Sequence, residues 1–185
     1  MNHADHVGLL RPGIGAPGGV WADLGAGEGA FTLALADLLG PGAVIYAVDR
    51  DRGALRAQER ALAARFPGVT AHYLAADFTD LPALPPLDGV VMANSLHYVR
   101  HKEPVLARIA ARLRPGGRFI LVEYNADQGN VWVPYPMSYP TWTALAARSG
   151  LADTRLLATV PSRFLREIYS ALSFVPTAPS LPGDA

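Results

Sequence analysis

Apolar residues fall into short blocks along this 185-residue chain, and blocks of two kinds alternate. Val20 to Leu24, Ala43 to Val48, Val69 to Leu74, Gly89 to Ala93 and Arg118 to Tyr124 read as buried strands. Between them lie helical patterns. Ala30 to Leu39 is apolar on most faces and is stopped by Gly40, Pro41 and Gly42. Asp51 to Phe66 carries Leu55, Leu62 and Phe66 at helical spacing, begins on an acid that suits the helix dipole, and ends at Pro67-Gly68. Pro104 opens a third helix that runs to about Leu113, and Pro115-Gly116-Gly117 turns into the fifth strand. A further helix near Thr141 to Ser149 is capped by Gly150 and precedes a strand near Thr154 to Val160. The last segment, Phe164 to Phe174, is ambiguous. Phe164, Ile168 and Leu172 recur every four residues, as in a helix, whereas the plan of the chain asks for a strand. Alternating strands and helices predict an α/β sheet protein.

Residues 20–175 form one expected domain. Residues 1–19 read as a mobile Gly/Pro-rich leader around the apolar stretch Val7 to Leu10, and residues 176–185 as a disordered tail. Half the residues are hydrophobic, enough for a core without staples. With no cysteine, disulfides and thiolate metal sites are excluded. No apolar run is long enough to span a bilayer and no signal-peptide pattern opens the sequence, so the cytoplasm is the default expectation. Sixteen basic and sixteen acidic residues balance, which argues against a grip on long nucleic acid. Arg108, Arg112, Arg114 and Arg118 cluster in sequence but read as a solvated face. A homo-oligomer is left open.

The chemistry centres on Asp23-Leu24-Gly25-Ala26-Gly27-Glu28-Gly29, between the first strand and the first long helix. Glycines allow a sharp turn and a close backbone approach to a ligand. The helix that follows begins with free N–H groups. Gly25, Gly27 and Ala30 also satisfy the dinucleotide fingerprint, and Asp49 ends the second strand where a ribose-binding acid belongs in either reading. Asp23 before the glycines and Asp77 after the third strand suit a cationic ligand better than a pyrophosphate. The bland alternative for Asp23 is a buried acid satisfied by backbone N–H groups.

These segments resemble those of class I S-adenosylmethionine-dependent methyltransferases, of the small stand-alone type that acts on small molecules. The resemblance covers nearly all of Val20 to Phe174. It rests on VWADLGAGEGAF, AVDRD, AADFTDLP, DGVVMANSLHYV and LRPGGRFILVEY, in the family's order. It implies a Rossmann-like, mostly parallel seven-stranded sheet with an antiparallel last strand. It also implies a cofactor site. Asp23, Gly25, Gly27 and Gly29 would hold the methionine part of S-adenosylmethionine. Asp49, with Arg50 beside it, would accept the ribose hydroxyls. Asp77 would meet the adenine amino group with Phe78 beside the ring, and Asn94 would lie near the amino-acid end. A nicotinamide-dependent oxidoreductase and a non-catalytic S-adenosylmethionine-binding protein are the competing readings.

A sulfonium methyl is already activated, so positioning alone can carry much of such a reaction and no acid or base is required. His97 is nonetheless a candidate base, although packing and hydrogen bonding at the strand end is the favoured reading of it. A metal held by His97 and His101 lacks a third ligand. Glu123 and Tyr124 end the fifth strand as further, unranked candidates. The fifteen residues from Asn125 to Tyr139 lack regular patterning and carry Trp132, Tyr135 and Tyr139 among prolines. They are expected to wall an acceptor pocket with Tyr98 and Tyr124, or else to seal the loop onto the domain core or onto a second subunit.

Overall fold

A computed structural model describes residues 1–162 and 164–177. Seven strands form one sheet: β1 (Val20–Leu24), β2 (Val44–Asp49), β3 (Thr70–Ala75), β4 (Leu87–Ala93), β5 (Leu113–Tyr124), β6 (Ala152–Ser162) and β7 (Arg166–Phe174). Their spatial order is 3-2-1-4-5-7-6. The first five are parallel, and β7 runs antiparallel to both β5 and β6. The expected Rossmann-like sheet with an antiparallel last strand is therefore present.

Helices cover both faces. α1 (His3–Leu10), α2 (Ala30–Leu39) and α3 (Arg52–Arg65) share one core with Ile45, Val91, Ile120, Val122, Ile168 and Leu172. On the opposite face, α4 (Glu103–Ala110) and α5 (Tyr139–Arg148) share a second core with Val90, Met92, Phe119, Leu121, Tyr169 and Ala171. Successive strand residues point to opposite faces, so a strand covered on both faces reads as an unbroken apolar run. Trp142 of α5 is fully buried, with its ring 5.4 Å from that of Phe119. Trp142→Ala would cost about 3–5 kcal/mol. Among the described residues no helix is long and apolar enough to cross a membrane.

Two expectations need correction, and the ambiguous last segment resolves as the strand that the plan of the chain asks for. The leader is not irregular throughout, because residues 3–10 form α1. Asn2 and Asp5 close a capping box at its start, and Val7, Leu9 and Leu10 are buried against α2 and the β6 edge. The His6 ring lies tilted against Phe31 with centroids 4.7 Å apart, and His3 pairs with Asp37 at 3.0 Å. The helical spacing of Phe164, Ile168 and Leu172 is misleading, since β7 is a strand. Ile168 and Leu172 join one core while Tyr169 and Ala171 join the other, which blurs the alternation expected of a half-exposed strand. The third helix stops at Ala110, and β5 starts at Leu113. Leu87 pairs with Leu113 and Gly89 with Arg118, so Pro115-Gly116-Gly117 bulges out of a strand that has already begun. Of the tail expected at residues 176–185, residues 178–185 lie outside the described residues.

Candidate cofactor and acceptor site

The strand order reverses between β1 and β4, and their carboxyl ends open the crevice where such sheets hold ligands. The glycine loop fills one side of it. Gly25 has φ +80°, and a Cβ there would collide with the Cβ of Ser95, just beyond β4. Ser95 in turn donates to the carbonyl of Leu24 at 2.7 Å, and the loop is tied across the switch point. Gly27 has φ +51° with nothing within 4 Å of where a Cβ would stand, so its outer side is open. Gly29 caps α2 in a left-handed conformation and lies against Gln58 of α3.

The acids around the loop differ in environment. Asp23 is almost fully buried and accepts the Thr32 hydroxyl at 2.5 Å, which itself accepts from Gln58 at 2.9 Å. Burial pushes its carboxyl up to about 7; the Thr32 bond opposes that rise and the charge of Asp49 adds to it. Its partner is thus a side-chain hydroxyl rather than the backbone N–H groups of the bland alternative. Asp49 accepts the Gly27 N–H at 2.8 Å through Oδ2 and the Asp51 N–H at 2.8 Å through Oδ1. Asp77 takes the backbone and hydroxyl of Thr79 at 2.8 and 2.7 Å. Those bonds, helped by Arg50, hold its carboxyl below the usual range. Arg50 is largely exposed and stands 3.5 Å from Asp77. Phe78 is half-buried, with its ring edge at the Gly25 turn.

Beyond the loop, Asn94 has φ +51° and donates its N–H to Val122 at 2.9 Å, while its buried Oδ1 has no partner. A recess of about 220 Å³ follows, lined by Asn94, His97, Tyr98, Tyr124, Trp132, Val133 and Phe164. His97 forms its inner end, 2% exposed. Its Nδ1 lies 2.9 and 3.0 Å from the two carboxylate oxygens of the fully buried Glu123, and its Nε2 has no partner. A buried polar atom left unmet costs about 1–3 kcal/mol. The Tyr98 ring sits 4.3 Å from the His97 ring and Tyr124 5.9 Å from it, with Phe164 6.1 Å beyond Tyr124.

The loop from residue 125 to 138 has no helix or strand, yet it is pinned. Asp127 accepts from Ser138 at 2.9 and 2.8 Å, and Asn130 accepts from Trp132 and Val133. The Tyr135 N–H donates to the His97 carbonyl at 3.0 Å. Lys102 donates to the carbonyls of Val99 and Tyr135 at 2.7 and 2.9 Å. Burial lowers the Lys102 ammonium below its ordinary range, against the pull of Glu123 and Glu103.

The structure thus brings together Asn94, His97, Tyr98, Tyr124 and Trp132. Tyr135 is set apart from them, with its ring against the Lys102 ammonium. His101 is exposed and outside the recess, and among the described residues no group of three potential ligands could hold a metal. Sequence reasoning passed over Thr32, Gln58, Ser95, Val133 and Phe164. Gln58 could have been found, since it lies on the Leu55–Leu62 stripe of α3 where a polar residue is out of place. Thr32 is likewise a polar residue inside an apolar helix. Nothing local marks Phe164.

A family model described as a methyltransferase domain matches residues 22–119. The ubiquinone/menaquinone biosynthesis C-methyltransferase UbiE of Burkholderia thailandensis is 31% identical over 129 residues, which is 69% of this chain. The chain spans about half the length of the curated relatives it matches, 50% for that one. A Burkholderia thailandensis 1,6-didemethyltoxoflavin-N1-methyltransferase, solved with 1,6-didemethyltoxoflavin and S-adenosylhomocysteine, superposes with a TM-score of 0.71 at 22% identity. That match covers 95% of this chain and 78% of the other. An arsenic(III) S-adenosylmethionine methyltransferase from Chlamydomonas reinhardtii gives 0.73 at 19% identity, covering 91% and 67%. At these identities the two structures show a shared fold. With the family model spanning more than half the chain, the protein belongs to the class I S-adenosylmethionine-dependent methyltransferases.

Proposed function

We propose that this chain binds S-adenosylmethionine along the carboxyl ends of β1, β2 and β4 and methylates a small-molecule acceptor seated in the aromatic recess. The observation that carries the reading is the bond from the Gly27 N–H to Asp49. A pyrophosphate needs the free N–H groups of a glycine loop. Here one is already spent on a carboxylate, and a second negative charge beside Asp49 would be repelled. A ribose diol meets the opposite situation, because each Asp49 oxygen keeps a lone pair after accepting its backbone N–H. The open side of Gly27 and the unpartnered Asn94 Oδ1 leave contacts for the methionine end of the cofactor, with Asp23 beneath them. Phe78 and Asp77 would meet the adenine, and Arg50 the rim. When bound, the cofactor supplies an electrophilic methyl group on a positively charged sulfur.

Tyr98, Tyr124 and Trp132 wall the acceptor side, and aromatic walls exclude water from an apolar ring. Tyr135 acts through its backbone, holding the loop to the His97 segment. Residues 20–175 are the methyltransferase unit in this proposal, with α1 as a docked cover for α2, and the cytoplasm remains the proposed compartment. Calorimetric titration tests the cofactor reading. S-adenosylmethionine and S-adenosylhomocysteine should bind and raise the Tm by mass action, and NADH should not. Tight NADH binding with no heat from either sulfur compound would overturn it.

A further inference from the structure

We propose that the protein holds a second ligand site, for a small phosphate-bearing molecule, at the amino end of the sheet, opposite the cofactor crevice. The proposal stands apart from the methyltransferase reading and adds a ligand to the protein rather than a step to its reaction.

The site begins with the irregularity of β5. Pairing with β4 is broken between Leu113 and Arg118, and residues 114–117 bulge out. Gly116 has φ +75°, and a Cβ on Gly117 would lie 2.7 Å from the Arg114 carbonyl oxygen, so the bulge folds back on itself as glycine allows. Bulges re-aim the side chains beside them. Residues 15–19, which lead into β1, face the bulge. Between the two lies a pocket of about 500 Å³ whose lining includes Gly15, Gly19, Trp21, Asp88, Arg114 and Arg118. In the arginine cluster of the sequence, Arg108 and Arg112 are exposed on the α4 side, whereas Arg114 and Arg118 line this cavity.

The lining is rich in donors and poor in acceptors. Asp88 is its one acid, and both carboxylate oxygens are taken: Oδ2 accepts the Val20 N–H at 2.7 Å and Oδ1 pairs with Arg114. Arg118 pairs with no carboxylate among the described residues. Its Nη1 donates to the Gly13 carbonyl at 3.0 Å, and its guanidinium lies 5.2 Å over the Phe174 ring. Arg155 lies over the same ring at 5.7 Å. Burial lowers the Arg118 guanidinium below its ordinary range and the charge of Arg155 adds to that fall, as positive charge in excess of its partners does. Among the described residues the backbone N–H groups of Gly15, Ala16 and Gly19 meet no acceptor, and neither does the Trp21 indole beside Gly19. Donors from the leader, β1 and β5 suit a tetrahedral oxyanion, whose oxygens accept from several directions; a planar carboxylate is served by one arginine. The volume leaves room for an organic group on the phosphate. A bounded pocket in a chain of zero net charge fits a small molecule rather than a nucleic-acid backbone.

Inorganic pyrophosphate is the probe, with ionic strength held constant by sodium chloride. In protein labelled with nitrogen-15, the indole N–H signal of Trp21 should move on titration while those of Trp132 and Trp142 stay in place. An unmoved Trp21 signal overturns the site, and it is read in the unmodified chain, whether or not any variant folds. Arg118→Met keeps a stem over Phe174 and removes the donors, so it should weaken pyrophosphate binding at least about tenfold. Arg60→Met, on the exposed face of α3, should leave it unchanged. Equal losses in the two variants would mean diffuse charge attraction and overturn the site. Acetate at the same concentration should move nothing; a response equal to that of pyrophosphate overturns the phosphate class. Saturation with S-adenosylhomocysteine should leave the pyrophosphate affinity unchanged, and competition between them would put the probe in the glycine loop after β1 and overturn a second site. Absent S-adenosylhomocysteine binding would sink the methyltransferase reading alone, since the Trp21 signal is read without any cofactor.

Discussion

The cofactor crevice and the acceptor recess lie side by side at one sheet edge and are built in opposite ways. In the crevice the polar groups belong to short segments, and most are already partnered: Asp49 by Gly27 and Asp51, Asp77 by Thr79, Asp23 by Thr32. In the recess the walls come from the β4–α4 connection, the end of β5, the 125–138 loop and the β6–β7 turn, and His97 Nε2 is left without a partner. The first region is a preformed cradle for a ligand of known shape. The second is assembled from four segments distant in the chain, so its shape is set by tertiary packing and not by any one stretch of sequence.

The sharpest break of this contrast is Gly25→Ala. The new Cβ would meet Ser95 across the switch point in a left-handed backbone. About 1–2 kcal/mol for the conformation and about 1–3 kcal/mol for overpacking should appear as lost stability in denaturant titration. Gly27→Ala, with open space beside it, should lose only the conformational part while weakening S-adenosylhomocysteine binding. Unchanged S-adenosylhomocysteine binding in Gly27→Ala would mean that Gly27 does not face the ligand, and equal stability losses for the two variants would mean that Ser95 gives way to the new Cβ.

Asp23 ranks next. Its folded-state carboxyl lies at about 7 against an ordinary 3.8. Between those values the folded chain keeps a proton that the unfolded chain has released, so stability falls as pH rises through that window and stays reduced above it. Asp23→Asn should therefore stabilise the cofactor-free chain at pH 8, by at most about 4 kcal/mol, and flatten the pH dependence of its Tm. Because the ligand's α-ammonium group favours the ionised acid, S-adenosylhomocysteine affinity should fall below pH 7, by at most about tenfold per pH unit. Calorimetry from about pH 5.5 to about pH 8.5, on both sides of the folded-state value, checks this; an affinity indifferent to pH would separate Asp23 from the ligand.

Asp49→Ala should weaken cofactor binding at least about tenfold, since hydrogen bonds to a charged group are worth about 1.5–3 kcal/mol. It also frees the Gly27 N–H, so any gain in NADH binding by this variant would sharpen the argument made from that bond. The smallest effect belongs to the recess rim. Trp132 is 70% exposed whereas Trp21 and Trp142 are buried, so Trp132→Phe should change stability by less than about 0.5 kcal/mol. It should nonetheless abolish any fluorescence change seen when S-adenosylhomocysteine and a small aromatic compound are added together. A change that survives the substitution would place the acceptor elsewhere.

The sequence by itself determined the parts whose physics is local. The strand and helix periods of residues 20–124 were readable because each element buries a face or two in a regular repeat. The glycine loop and the acids at the strand ends were legible because turn conformation and strand termination depend on neighbours in the chain. Asp23 is legible as an acid inside an apolar strand, but its partner Thr32 and the Gln58 behind it are not, since they come from two separate helices. Tertiary structure alone decided the rest. α1 is ordered by burying Val7, Leu9 and Leu10 against α2, not by its own short repeat. β7 is a strand because β5 and β6 pair with both its edges, a demand stronger than its helical spacing. The His97–Glu123 pair joins residues 26 positions apart, and Phe164 arrives at the same recess on a hairpin turn. Such contacts carry no local signature, because strand order and register, not chain neighbours, bring their side chains within reach.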